Sequence, residues 1–130
     1  MAERRVVIPD GMQRMHDQFH FAPAVRVGKH VFCSGQVGSR PDGKLDPDPA
    51  VQIANAFENV RAVLEEAGAS FADVVEMTSF HVGFDEHIGL FMQVKDGFMK
   101  EPYPAWTAVG VSGLAFGALV EIKVRAIIPG

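Results

Sequence analysis

The clearest periodic segment of the chain lies between Asp48 and Gly68. Apolar residues recur there at spacings of three and four, which places them on one face of a helix: Ile53, Phe57, Val60, Leu64 and Ala67. Asp48 suits the N-cap because its carboxylate can accept hydrogen bonds from free backbone N–H groups, and Pro49 suits the first helical position. Gly68 is a good residue to end a helix. The segment predicts a long amphipathic helix.

A second helix is predicted over residues 85–100. Phe91, Val94 and Phe98 share one face, and Asp85 or Glu86 lies favourably near the positive end of the helix dipole. Pro102 then ends the helix. Strands are predicted at residues 5–8, 25–27, 31–34, 74–82, 105–111 and 119–128, and segments 11–21 and 35–49 are predicted as loops, the first with a possible helical turn. This order predicts an α+β fold, a mainly antiparallel sheet with two long helices on one face.

Alternation along the later strands predicts which residues face the helices. In the last strand the apolar set is Val120, Ile122, Val124, Ala126 and Ile128, and the set facing away is Leu119, Glu121, Lys123, Arg125 and Ile127. In the strand at 74–82, one side carries Val75, Met77, Ser79 and His81. Trp106, Ala108 and Gly110 share a face of the strand between. If Trp106 also faces away from the helices, that face is too apolar for water and we expect an oligomer to cover it.

Composition limits the classes of function. A chain of 130 residues suits a single domain, and a net charge of −4 without a basic patch argues against a nucleic-acid partner. Cys33 is the one cysteine, so a disulfide framework within the chain is excluded and a reducing cytoplasm fits best. No apolar run reaches the roughly 18 to 20 residues that a membrane helix needs. The sequence predicts a soluble cytoplasmic protein with no membrane partner.

Four short motifs resemble the RidA/YjgF family of imine and enamine deaminases over residues 25–128. They are Ser34-Gly35-Gln36, Phe57-Glu58-Asn59-Val60 followed by Ala67-Gly68, Tyr103-Pro104-Ala105, and Leu119-Val120-Glu121-Ile122. The resemblance implies a chorismate-mutase-like fold and a homotrimer with a central β-barrel, helices outside and pockets between subunits. It also implies hydrolysis of a small reactive imine or enamine metabolite, with no metal or organic cofactor.

Several pocket positions depart from the family pattern. The family's carboxylate-binding arginine is replaced by Trp106, whose indole has one N–H donor and no charge. Phe21 stands at the position of a tyrosine, Ala108 at that of a cysteine, and Met92 at that of an asparagine. The resemblance therefore implies a more apolar and aromatic pocket, with a substrate that does not depend on a carboxylate clamp.

Glu121 and the Ser34-Gly35 pair keep the family pattern. Glu121 corresponds to the glutamate thought to position the attacking water, and Ser34 and Gly35 correspond to substrate-binding positions. Plainer interpretations stay open. Glu121 is then a solvent-facing or interface glutamate paired with Lys123 or Arg125 from a neighbouring strand, and Ser34 is a strand-end serine bonded to local backbone. Phe21 is either a pocket wall or a packing residue.

Trp106 is either a stacking wall for the substrate or a residue that fills the core or an interface. Cys33 is predicted to be a buried structural thiol, because no base is adjacent to it in the sequence. His16 and His20 lack the third ligand that zinc needs, so no metal site is predicted. His20 could still carry a proton beside Phe21.

Three functions follow from these observations. The first is a cofactor-independent hydrolase in which Glu121 positions water. The alternative is a non-catalytic trimer that binds a small metabolite in the same clefts, favoured by the loss of arginine, tyrosine and cysteine. A ribonuclease, an older label in this family, fits poorly with the acidic charge balance.

Overall fold

A computed structural model describes residues 3–130, and its secondary structure forms one mixed sheet with helices. The helices are α1 (Gln13–Phe19), α2 (Pro49–Ala67) and α3 (Phe84–Phe98). The strands are β1 (Arg4–Val7), β2 (Ala24–Val27), β3 (His30–Cys33), β4 (Gln36–Val37), β5 (Val74–His81), β6 (Ala105–Gly110) and β7 (Val120–Ile127). The strand order is β1-β2-β3-β7-β5-β6, with β4 also pairing with β7. Only the β5–β6 pair is parallel within these residues, which confirms a mainly antiparallel α+β fold.

Helix α2 has the caps that the sequence predicts. The Asp48 carboxylate accepts a hydrogen bond from the Ala50 backbone N–H at 2.9 Å, and Pro49 is the first helical residue. Gly68 ends the helix in the left-handed region at φ 87°, where a glycine avoids the steric cost of a Cβ atom. All five predicted apolar residues of α2 are buried. The predicted helix is confirmed.

Helices α2 and α3 meet through a cluster of aromatic rings above the sheet. Phe57 of α2 stacks on Phe98 of α3 with ring centroids 5.0 Å apart and lies 5.4 Å from Phe91. The Arg61 guanidinium lies 5.1 Å above the Phe98 ring and covers the cluster on its outer side. Both long helices therefore cover the same face of the sheet, as the sequence predicts.

Two local predictions were wrong. Val75 does not share a side with Met77, because a β-bulge at Val74/Glu76 adds one residue to the strand and leaves Val75 exposed while Val74 is buried. The segment at 35–49 is not entirely loop, since β4 pairs with β7. A strand of two residues is too short to produce a readable alternation. Segment 11–21 contains the short helix α1.

The face of the sheet away from α2 and α3 is open, and we call it the open face. The alternation in β7 is as predicted, with Glu121, Lys123, Arg125 and Ile127 on the open face. Large apolar side chains are exposed there, among them Phe32 of β3 at 44%. Trp106, however, lies on the helix-covered face, so the apolar character of the open face does not come from it. Within residues 3–130, no helix has the length and apolarity to cross a membrane.

Candidate active site

Glu121 projects from the open face beside Gly35. Its Cα pairs with Val37 of β4 and with Phe80 of β5. A Cβ atom added to Gly35 would lie 2.6 Å from the Glu121 Oε2 atom, closer than real contacts allow. A side chain at position 35 would therefore displace this carboxylate from its position. Within residues 3–130, Glu121 makes no ion pair with Lys123 or Arg125 of its own chain.

Ser34, the residue before Gly35, is hydrogen-bonded to the segment that leads into β2. Its hydroxyl donates to the Ala22 carbonyl at 2.6 Å, and its backbone N–H donates to the Pro23 carbonyl at 2.9 Å. Both donors of Ser34 are thus used inside the chain, and its hydroxyl oxygen can act toward a ligand only as an acceptor. The contacts agree with the plainer interpretation of Ser34, a serine that satisfies local backbone and thereby positions Phe21.

Phe21 is half-buried and lines a shallow depression at the end of α1. His20 ends α1 in the left-handed region at φ 60° and also lines this depression, together with His16, Asp17 and Arg4. A hydrogen bond from His16 lowers the pKa of Asp17, with a second from Gln13 acting in the same direction. The residues described contain no group of three His, Cys, Asp or Glu side chains that could hold a metal ion. His20 is exposed at the rim.

Trp106 lies on the other side of the sheet, under α3. Its Cα pairs with buried Met77, and its indole N–H donates to the Ser79 Oγ at 2.8 Å. Ser79 Oγ lies 2.7 Å from His81 Nε2. Because Ser79 Oγ accepts from Trp106, its own hydrogen is free to go to His81, which then accepts at Nε2. Burial, and secondarily the charge of His87, lowers the pKa of His81, so this imidazole is neutral near pH 7.

The rest of the Trp106 environment comes from α3. The Phe91 and Trp106 ring centroids are 5.8 Å apart, and the Lys95 ammonium lies 4.9 Å from the Trp106 centroid. Ala108 lies two residues further along β6 on the same face, with its Cα paired to that of Ser79. Trp106 is therefore packed and hydrogen-bonded along much of its surface, which favours the interpretation of a residue that fills the core.

The predicted site residues thus form two separate groups within one chain. We call Ser34, Gly35 and Glu121 the carboxylate half, with Phe21 next to the Ala22 carbonyl that Ser34 binds. Trp106 and Ala108 form the tryptophan half, to which the structure adds Lys95. Glu121 and Trp106 lie on opposite faces of the sheet. One copy of the chain therefore does not bring all the predicted site residues together.

Sequence reasoning gave no role to Ser79, His81 or Lys95. The alternation at 74–82 correctly put Ser79 and His81 on one side, but their contact with Trp106 depends on the parallel register of β5 and β6. Nothing in the pattern of either strand fixes that register. Cys33 is buried and burial raises its pKa to about 12, so little thiolate exists near pH 7, in agreement with a structural thiol.

Comparison with known proteins identifies the family. The model of the family described as Endoribonuclease L-PSP matches residues 12–128. The sequence is 45% identical over 130 residues to the RutC family protein YjgH of Escherichia coli K12, covering 99% of this chain and 98% of that one. This chain belongs to the RidA/YjgF family.

Two further matches agree with this. The chain is 34% identical over 105 residues to a 2-iminobutanoate/2-iminopropanoate deaminase of Dermatophagoides farinae, covering 79% of this chain and 81% of the other. The solved structure of protein YjgH superposes with a TM-score of 0.90 at 44% identity and 98% coverage of both chains. RidA from an Antarctic Psychrobacter gives a TM-score of 0.80 at 35% identity, covering 83% of this chain and 88% of that one. The RidA-family fold implied by the four motifs is confirmed.

Proposed function

We propose that this chain hydrolyses a small reactive imine or enamine metabolite, without a cofactor, in a cleft between neighbouring copies. The carboxylate half of one copy faces the tryptophan half of the next, so that each cleft is complete only in the oligomer. The observation that carries the proposal is the Glu121 carboxylate, held against Gly35 and free of any ion pair within residues 3–130. The deaminase names of some relatives support the reaction class.

Imine hydrolysis requires few catalytic groups from the protein. An imine carbon is already electrophilic, and Glu121 needs only to orient a water and accept one of its protons as the oxygen bonds to carbon. That proton passes to the nitrogen and gives a carbinolamine. The remaining hydroxyl proton then also moves to the nitrogen, the C–N bond breaks, and ammonia leaves as the carbonyl forms. No electrons are transferred to or from an outside partner, so the step is balanced without an oxidant or a reductant.

The oligomer in this proposal is a homotrimer whose sheets form a central barrel with the helices outside. Phe32, Val109 and Ile127 are exposed apolar side chains on the open face, which favours a partner that covers it. Within residues 3–130, strand β6 is also a sheet edge whose outer backbone groups have no neighbouring strand. Light scattering on the purified protein should give the mass of three chains. A stable monomer would contradict the shared cleft.

Hydrolysis can be measured directly on imino acids made in solution by an amino-acid oxidase. Semicarbazide competes for the free imine, so a hydrolase lowers the yield of semicarbazone. We expect the wild type to lower it and Glu121→Gln to lose about 100-fold or more of that activity, the usual contribution of a positioned acid–base group. Glu76→Gln, on the same open face, is the matched control and should keep full activity.

Two results would contradict the proposal. Full activity in Glu121→Gln would remove the assigned role of this carboxylate. Failure of the wild type on small, acidic and aromatic imino acids alike would leave the alternative of a non-catalytic trimer that binds a small metabolite. Saturable ligand binding that survives Glu121→Gln would then be the expected behaviour.

A further inference from the structure

Lys95 has an unusual environment for a lysine near the end of a helix. Its side chain is only 13% exposed, and within residues 3–130 its one ion-pair partner is Asp96 Oδ1 at 3.8 Å, on a side chain that is 73% exposed. Within residues 3–130, the ammonium donates no hydrogen bond. A lysine with a packed stem normally keeps its ammonium at the surface, where water or an acceptor can reach it. Within residues 3–130, the ammonium of Lys95 has no close acceptor.

Two aromatic rings lie close to the ammonium of Lys95. The ammonium lies 4.9 Å from the Trp106 centroid and 5.7 Å from the Tyr103 centroid. A ring face attracts a cation through its quadrupole and does not saturate the three N–H donors of the ammonium. Lys95 is thus held in position while its donors stay free for an acceptor.

Trp106 is itself a rigid support for this charge. The indole N–H is bonded to Ser79, which is bonded to buried His81, and the ring packs against Phe91. Side chains that are fixed by buried contacts hold their position more precisely than exposed ones do. The positive charge therefore has a defined location beside the edge strand β6.

We propose that Lys95 is the anion-binding residue of the tryptophan half and that it selects a ligand with a carboxylate group beside the C=N bond. This inference rests on one part of the proposed function, the cleft between copies. It does not require that the cleft hydrolyses its ligand. At position 106 an uncharged indole replaces the family's arginine, and the indole ring instead lies against the ammonium of Lys95 from α3. The substrate class is then a small imino acid. The sequence predicted a substrate that needs no carboxylate clamp, whereas here Lys95 binds the carboxylate.

Trp106 also makes the test direct, because it is the only tryptophan of the chain. The wild type is titrated with 2-oxobutanoate and with its uncharged amide while indole fluorescence is recorded, with calorimetry as a second readout. We expect the acid to bind about tenfold more tightly than the amide, the usual size of a hydrogen bond to a charged group. Lys95→Met should remove this preference, and Lys95→Arg should retain most of it.

A matched control separates a local contact from a general loss of positive charge. Lys100→Met removes a charge just beyond the same helix, where Lys100 is exposed and donates to the Asp96 carbonyl, and it should leave the preference unchanged. Thermal unfolding of each variant reports whether the chain is folded. If Lys95→Met is folded and still prefers the acid, or if the wild type binds neither compound up to tens of millimolar, the inference fails.

The outcome is distinguishable from that of the hydrolase proposal. Preference for the acid that depends on Lys95, in a protein without turnover, would support this inference and contradict hydrolysis. Turnover with an unchanged KM in Lys95→Met would support hydrolysis and contradict this inference. Lys95 in a purely structural role, near the negative end of the α3 dipole, would change stability without changing the preference for the acid.

Discussion

The two halves of the candidate site differ in how completely their polar groups are used. In the tryptophan half, the Trp106 N–H, the Ser79 hydroxyl and the His81 ring bond to one another in a buried chain. In the carboxylate half, Glu121 lies on the open face with its Oε2 atom close to Gly35 and without an ion pair inside the described chain. The buried hydrogen bonds of the tryptophan half stabilise the folded structure. The carboxylate half leaves the Glu121 oxygens free to accept from water or substrate.

This difference indicates where each kind of change should act. Substitutions in the buried chain remove contacts that contribute to folding, so they should lower the free energy of unfolding. Substitutions beside Glu121 alter the position of a carboxylate that stabilises little, so they should lower turnover. Substitutions in the two halves test this division, and the loss of turnover is expected to be the largest effect.

Gly35→Ala should reduce imine hydrolysis about 100-fold, the size expected when a catalytic group is displaced by about 1 Å. The added methyl would meet Glu121 Oε2 and Cδ at 2.6 Å and 2.7 Å, and the flexible carboxylate would move while the backbone stays. Steady-state rates and thermal unfolding together check this. Gly89→Ala, where nothing lies within 4 Å of the added atom, should leave the rate unchanged. A normal rate in Gly35→Ala would contradict the assigned geometry.

Ser79→Ala should lower the free energy of unfolding by about 1–3 kcal/mol, because it leaves the Trp106 N–H and the His81 Nε2 without partners in a buried place. Urea unfolding followed by indole fluorescence measures this. Thr78→Val is the control on the adjacent, open-face position and should change the free energy by less than about 0.5 kcal/mol. Equal effects in the two variants would mean that the hydrogen-bonded chain adds no stability.

The smallest effect concerns pH. Burial lowers the pKa of His81 below the ordinary histidine value of 6.5, so the unfolded state binds a proton more readily than the folded state does. The stability from neutral His81 is complete above 6.5 and is lost as pH falls through and below that value. Unfolding free energies measured from pH 8 to pH 5 should show a decline that is weaker in His81→Gln. The exposed His30→Gln should match the wild type, and an unchanged slope in His81→Gln would refute the assignment.

The sequence was sufficient for elements whose pattern repeats. Helix α2 carries five apolar residues at helical spacing with a cap at each end, and β7 alternates over its whole length, so both were predicted with their buried faces. The Val75 bulge was missed because one added residue shifts the alternation without any mark in composition. The two-residue strand β4 was missed because it contains no repeat.

The candidate site was only partly predictable for a different reason. Glu121 and Gly35 were singled out by motifs, and the structure brings them together. Lys95 and Trp106 are eleven positions apart and meet because α3 crosses over β6, which depends on tertiary structure and not on local spacing. The separation of Glu121 and Trp106 onto opposite faces likewise follows from strand register.

The measurement that tests the shared cleft most directly mixes two variants that are each damaged in a different half. Glu121→Gln removes the catalytic carboxylate, and Ala108→Phe fills the tryptophan half with a large side chain. Each variant alone should be nearly inactive. After the two are unfolded, mixed in equal amounts and refolded, random assembly should restore about one quarter of the wild-type rate, because about one cleft in four receives both intact halves. Mixed oligomers that form but recover no activity would contradict a site shared between copies.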